Sequence, residues 1–69
     1  MKMESVKSST IKAIGYDADA KMLRVMFHSG GAYDYKNVPE HVYLNLLQAP
    51  SVGKVFHSDV RGQYDHVKA

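Results

Sequence analysis

Two adjacent glycines, Gly30 and Gly31, separate two β-type segments and restrict the fold more than any other feature of the sequence. Residues 22–28 alternate between apolar and polar positions, and residues 32–38 form a tyrosine-rich strand. The apolar side of the first segment carries Leu23, Val25 and Phe27. Glycine accepts the positive φ that tight hairpins require. The stretch therefore predicts an antiparallel hairpin, because so short a loop leaves no room for a parallel crossover.

The segment before this hairpin predicts one more strand. Residues 11–16 alternate weakly, which places Ile11 and Ile14 on opposite faces. Gly15 inside this strand indicates a bulge or a close backbone approach. Residues 17–21 then form an acidic turn that leads into the hairpin.

Two short amphipathic helices follow the strands. Pro39 suits the first turn of a helix, and Pro50 ends that helix near Gln48. Ser51 caps the second helix, and Gly62 marks its end. The apolar positions of both helices recur at helical spacing, so each helix packs on a sheet. The predicted fold is α+β, with a three-stranded antiparallel β-meander followed by two short helices packed on one sheet face.

Length and composition limit the organisation to one small domain. With 69 residues, the chain has room for a single core. We expect residues 1–8 to be a flexible N-terminal tail, residues 9–65 to be the domain and residues 66–69 to be a C-terminal tail. The absence of cysteine excludes disulfides and thiolate chemistry. No apolar run has signal-peptide or membrane-span length, so we expect a soluble, cytoplasmic protein.

A series of short motifs, in this order, resembles the KTSC domain. The motifs are Gly15-Tyr16-Asp17, Leu23-x-Val25-x-Phe27, Ser29-Gly30, Tyr33-Asp34-Tyr35, Val38-Pro39, Ser51-x-Gly53-x-x-Phe56 and Arg61-Gly62-x-Tyr64. That domain is named for its occurrence at the C-terminus of some lysyl-tRNA synthetases, and it also occurs as a stand-alone small bacterial or phage-type protein. The resemblance covers about residues 8–65. It implies no established activity, and it suggests RNA as a ligand through the association with a tRNA synthetase.

The leading functional prediction is a small binding module for RNA, either tRNA-like or single-stranded. Lys12, Arg24 and Lys36 meet on the outer face of the sheet if the strands pair in simple order, and there they would contact phosphates. Tyr33 and Tyr35 lie beside them and would stack on bases, as aromatic residues do in sheet-type RNA binders. A competing interpretation places the two tyrosines over the helices as part of the core, and the basic residues on an ordinary solvated surface.

The alternative function is a protein–protein interaction or self-association module. Met22, Met26 and Arg24 share one strand face, and methionine adapts to varied contact surfaces. The choice between the two functions depends on which sheet face is exposed.

The sequence does not favour an enzyme. His57, Asp59 and His66 are the residues nearest to a catalytic or metal-ligating set, but their spacing matches no zinc motif. Gly30 and Gly31 precede a strand and not a helix, so they do not form a P-loop. We therefore expect no catalytic residues, no metal site and no cofactor.

Overall fold

The computed structural model describes residues 1–69 and shows one antiparallel sheet with two helices. The strands β1 (Met3–Ser5), β2 (Ile11–Asp17), β3 (Met22–Phe27), β4 (Ala32–Tyr35) and β5 (His66–Lys68) lie in sequence order across the sheet. The helices α1 (Glu40–Gln48) and α2 (Val52–Asp59) come between β4 and β5 in the chain. These observations confirm the α+β class, the antiparallel meander and the two helices. No helix in the chain is both long and apolar enough to cross a membrane.

The prediction of three strands is wrong, because the sheet has five. The additional strands come from the segments that we expected to be tails. β1 pairs with β2, with Met3 opposite Gly15, and β5 pairs with β4, with His66 opposite Tyr35. Each of these edge strands has three residues, which is too short for alternation to be visible in the sequence. Their pairing depends on the open edges of β2 and β4.

An irregularity in β2 corrects the predicted sides of its residues. The pairing with β3 shifts between Ile11 and Ala13, so Ile11 and Ile14 are both fully buried in the core. The extra residue of a bulge changes the side on which the following residues lie. The close backbone approach expected at Gly15 is confirmed, since a Cβ atom there would lie 2.9 Å from the Lys2 carbonyl oxygen.

The two predicted turns, at residues 17–21 and at Gly30, are stabilised by an aspartate side chain and by a glycine, respectively. Asp17 Oδ1 accepts hydrogen bonds from the backbone N–H groups of Asp19 and Ala20, at 3.1 and 3.3 Å. Gly30 has a φ of 104°, in the region that favours glycine. The Gly30 N–H donates to the carbonyl of Phe27 and closes the hairpin.

The core lies between the helices and one face of the sheet. Its members are Ile11, Ile14, Leu23, Val25, Tyr35, Val38, Val42, Leu46, Val52, Phe56 and Val60. Ser51 occupies the position before α2, as expected, but its side chain makes no capping hydrogen bond.

The strand register assigns each residue of the hairpin to one of two sheet faces. Leu23 lies opposite Tyr35, and Val25 lies opposite Tyr33, on the face that the helices cover. Residues of the opposite parity lie on the other face, which no helix covers and which we call the open face. Its members include Met3, Ala13, Met22, Arg24, Met26, Ala32 and Asp34.

Candidate functional site

A groove of about 980 Å³ runs beside α2 on the helix-covered side of the molecule. One wall is α2 with the residues before and after it, from Pro50 to Arg61. The other wall combines residues 7–10, the end of the β3–β4 hairpin and the start of β5. We call this cavity the α2 groove.

Aromatic rings form the interior of the α2 groove. Phe56 of α2 contacts Phe27 and Tyr35 edge to face, with ring centroids 5.6 and 5.5 Å apart. Tyr33 contacts Phe27 in the same manner at 5.9 Å. Tyr35 and Phe56 are buried, whereas Phe27 and Tyr33 are half-buried and keep part of their ring surface open. The groove therefore offers apolar ring surface that is fixed by the core beneath it.

Positively charged side chains surround these rings. Lys7, Lys54 and Arg61 line the groove, all three are exposed, and none forms an ion pair within the chain. Burial raises the pKa of the Tyr35 phenol, while the nearby charge of Arg61 acts in the opposite direction. No aspartate or glutamate lines the groove. The combination favours an anionic ligand, since no carboxylate competes for the cations.

Two histidines add further polar surface to the groove. The His66 ring lies 5.1 Å from the Tyr35 ring and 5.5 Å from the Tyr33 ring, and His57 lies in the last turn of α2. Both histidines line the groove, while Asp59 lines a separate, shallower pocket. No group of three His, Asp or Glu residues in the chain is placed to hold a metal ion. The suggested set of His57, Asp59 and His66 is therefore not assembled in one pocket.

The serine-rich wall is held by short-range hydrogen bonds. Ser8 Oγ accepts from the backbone N–H groups of Thr10 and Ile11, each at 3.1 Å. The Ser8 carbonyl oxygen lies 2.8 Å from His28 Nε2, within hydrogen-bond distance. A Cβ atom on Gly53 would lie 3.5 Å from Ser8 Oγ, so this wall lies close to the first turn of α2. The two walls are thus in contact at this end of the groove.

The structure places the predicted site residues in different parts of the molecule. Tyr33 and Tyr35 both line the α2 groove, on the helix-covered face. Lys12 lies at the irregularity in β2 near Phe27, and Lys36 follows β4 beyond the pair of Leu23 and Tyr35. These two lysines are therefore separated by roughly 15 Å along the strands. Lys12 and Lys36 therefore do not lie side by side, and a role in binding for the three basic residues stays a prediction.

Arg24 lies on the open face, as predicted, but it already has an anionic partner. Its Nε and Nη2 atoms donate to the two carboxylate oxygens of Asp34, at 2.7 and 2.9 Å. The hydrogen bond from Arg24 holds the pKa of the Asp34 carboxyl below its usual range. A bidentate pair of this kind fixes the guanidinium in place. Arg24 is consequently less available to phosphate than an unpaired arginine.

Sequence reasoning named Tyr33 and Tyr35 but missed the groove that contains them. Lys7 falls in the segment expected to be a tail, and His66 falls in the other one. Lys54 and Arg61 are recognisable from the sequence only as basic residues on or near the second helix. Their grouping depends on how α2 packs against the hairpin, and no local pattern reports that packing.

The comparisons with known proteins agree with this architecture. The KTSC domain matches residues 7–64. The chain belongs to the KTSC domain family. Its fold is that of a KTSC domain protein from Yersinia pestis, whose crystal structure superimposes with a TM-score of 0.95 at 37% identity. That comparison covers 99% of this chain and 96% of the other.

Sequence relatives of this KTSC protein are of two kinds. An uncharacterised protein of Stutzerimonas stutzeri is 38% identical over 64 residues, which are 93% of this chain and 90% of the relative. A lysine–tRNA ligase of Nostoc sp. is also 38% identical, over 60 residues. This chain covers only 11% of that ligase, so the likeness concerns one small region of it. The family resemblance read from the motifs is therefore confirmed.

Proposed function

We propose that this KTSC protein is a small, non-catalytic binding module for RNA, and that the α2 groove is its binding site. The observation that carries the proposal is the coincidence of three unpaired cations with partly open aromatic rings in a groove that no carboxylate lines. RNA presents both of the matching groups, phosphates for the cations and bases for the rings. A cytoplasmic location belongs to the same proposal, because RNA is present there.

The acidic residues of the chain lie outside the α2 groove. The chain has seven acidic residues against nine lysines and arginines, so its net charge of +2 is modest. The groove nevertheless has only cations among its fully charged lining residues. A locally positive groove attracts a polyanion although the whole molecule is only weakly basic.

Two further observations support RNA as the ligand. Residues that carry the KTSC resemblance, including Ser51, Gly53, Phe56 and Arg61, line the α2 groove together with Tyr33. The same domain-sized region resembles part of proteins named lysine–tRNA ligases, whose substrate is an RNA. The first observation supports the choice of this groove, and the second supports RNA as the ligand to test there.

The arrangement of hydroxyl groups in the groove supports a binding role without catalysis. A serine or threonine nucleophile needs a base within hydrogen-bond reach. No serine or threonine hydroxyl of the groove is hydrogen-bonded to a histidine ring, and Ser8 Oγ is occupied by backbone N–H groups. The polar side chains of the groove therefore suit contacts with a ligand better than activation of a nucleophile.

An amide-shift titration of the isotopically labelled protein tests this function. Mixed tRNA and a short single-stranded RNA are each added at low and at high salt. We expect the largest shifts at Lys7, Lys54, Arg61 and Tyr33, and we expect high salt to reduce them. Shifts confined to Lys12, Arg24 and Lys36 would move the site to the sheet positions predicted from sequence. A titration without shifts at low salt would remove RNA as the ligand.

A second candidate function, self-association through the open face, is favoured by a separate observation. Met22 and Met26 are half-buried on a sheet face that no helix covers, and the charges of Arg24 and Asp34 neutralise each other between them. Such a face presents little unpaired charge to a second copy. Sedimentation velocity over a wide concentration range tests this candidate. A sedimentation coefficient that stays at the monomer value throughout would exclude it.

A further inference from the structure

We propose that the α2 groove is selective for single-stranded RNA, and that the ring of Tyr33, supported by Phe27 edge to face, is the stacking surface for one unpaired base. This inference rests on the proposed function and adds the class of RNA. It follows from the shape of the groove, from the open part of its aromatic surface and from the placement of its cations.

The shape of the α2 groove limits which form of RNA can reach its rings. α2 has eight residues and is therefore about 12 Å long. Aromatic side chains line both walls of the cavity beside it, with Phe56 on the α2 wall and Tyr33 on the other, and the cations lie on the same two walls. An RNA duplex presents phosphates and sugars on its outside and keeps the faces of its bases stacked inside. Only an unpaired nucleotide can bring a base face to rings that line such a groove.

The aromatic residues of the groove differ in how accessible they are to a base. Tyr35 and Phe56 are 4% and 5% exposed, so they support the groove from below. Phe27 and Tyr33 are half-buried, and both line the groove. Tyr33 is held edge to face between Phe27 and His66, at 5.9 and 5.5 Å. A ring that is already fixed loses little conformational freedom when a base stacks on it.

The cations of the groove are placed to contact the phosphates on either side of that base. Lys54 lies in the first turn of α2, and Arg61 lies just beyond its last residue. Lys7 approaches from the opposite wall. Cations therefore flank the aromatic surface along the length of α2. A strand that crosses the groove can place one base on the rings while neighbouring phosphates meet the cations at the two ends.

Competition binding separates this inference from the proposed function. A fluorescently labelled single-stranded oligoadenylate of about six nucleotides is bound first, and its anisotropy is followed. The competitors are the unlabelled single strand, an RNA duplex with the same number of phosphates, and inorganic triphosphate. We expect the single strand to compete about tenfold more strongly than the duplex, since one stacked base contributes about that factor. Triphosphate is expected to compete weakly.

Three other outcomes would contradict the selectivity, the stacking surface or RNA binding itself. A duplex that competes as well as the single strand would overturn the selectivity and leave RNA binding standing. Triphosphate that competes equally would show a site that recognises charge alone, and this also overturns the stacking surface. No binding of the labelled strand at low salt would overturn the proposed function together with the inference.

A pair of tyrosine variants tests the stacking surface itself. Tyr33→Leu removes the ring from the groove, and Tyr64→Leu is the matched control, because Tyr64 is also half-buried but does not line the groove. We expect Tyr33→Leu to weaken single-strand binding about tenfold and to leave triphosphate binding unchanged. Equal weakening by the two variants would contradict the assignment.

Should Tyr33→Leu fail to fold, the wild-type protein supplies the second measurement. The aromatic proton resonances of Tyr33 are followed while the single strand or triphosphate is added. An upfield shift with the single strand alone is the expected result of a base lying over the ring. Resonances that move equally with both probes would overturn the inference.

Discussion

The contact between Arg24 and Asp34 determines whether Arg24 is available to bind a ligand or stabilises the sheet. From the sequence, Arg24 is a cation available to phosphate. In the structure it forms a bidentate ion pair with Asp34, whose side chain is only 10% exposed. An acidic residue with so little access to water needs a partner for its charge. Arg24 therefore stabilises the sheet, and its effect appears in the dependence of stability on pH.

The first prediction compares the wild type with Asp34→Asn. Arg24 lowers the pKa of Asp34 in the folded state, so this carboxylate stabilises the fold above its unfolded pKa, which is about 3.9. The stabilisation is lost as the pH falls through the lower, folded-state pKa. Urea unfolding between about pH 5 and pH 2 should therefore show a smaller loss of stability in the variant than in the wild type. Identical pH profiles would assign the acid sensitivity to other carboxylates.

The second prediction concerns the hydrogen bond made by the hydroxyl group of Tyr16. The Tyr16 hydroxyl donates to the carbonyl of Val38 at 2.6 Å, and its ring stacks on Tyr43 at 5.4 Å. Tyr16→Phe keeps the stacking and removes the hydrogen bond, so the free energy of unfolding should fall by about 1 kcal/mol. Tyr64→Phe is the control, because no hydrogen bond of the Tyr64 hydroxyl is present. Equal stability of both variants in chemical denaturation would contradict a contribution from this bond.

At the scale of elements, the sequence predicts what local patterns can encode. Alternation in β3, the glycines at Gly30 and Gly31, and the prolines around α1 place these elements within a few residues of their observed positions. β1 and β5 carry no such signal, because a strand of three residues is defined by the edge to which it pairs. The prediction that Ile11 and Ile14 lie on opposite faces of the sheet was wrong for a similar reason. A bulge arises from the pairing of two strands and not from the alternation of one.

The packing of β4 against α2 gives the third prediction, which concerns Tyr35. This residue lines the α2 groove, but it is 4% exposed and contacts Phe56 and His66. Truncation of a buried aromatic residue costs about 3–5 kcal/mol. A domain of this size has a net stability of the same order. Tyr35→Ala should therefore be largely unfolded at room temperature in a far-ultraviolet circular dichroism melt.

The control for this prediction keeps the ring. Tyr35→Phe retains the aromatic contacts, and the Tyr35 hydroxyl makes no hydrogen bond within the chain, so this variant should melt close to the wild type. A Tyr35→Ala variant with unchanged melting would instead show that the ring is not part of the core. In that case its role in the groove could be tested by binding alone.

At the scale of the whole molecule, the candidate site depends on the tertiary arrangement of its charges. The sequence supplies the cations, but it does not show that Lys7, Lys54 and Arg61 share one groove while the acidic residues lie elsewhere. Simple strand order suggested instead that Lys12, Arg24 and Lys36 would meet. Lys12 lies at the irregularity in β2, and Lys36 lies beyond β4 at the other end of the hairpin. Arg24 lies between them along β3 and is paired with Asp34. Tyr33 and Tyr35 could be predicted to share one strand face, because the alternation of side chains along a strand is a local pattern.

The fourth prediction uses this arrangement through the salt dependence of RNA binding. Three cations in contact with a single strand give a slope of about −2 when the logarithm of the binding constant is plotted against the logarithm of salt concentration. Lys54→Ala removes one of them and should make the slope shallower by about 0.7. Lys36→Ala removes the same charge from an exposed position outside the groove, so its slope should equal that of the wild type. Equal changes in both variants would mean that RNA responds to the net charge of the protein and not to the groove. A change in Lys36→Ala alone would instead return the binding site to the sheet residues predicted from the sequence.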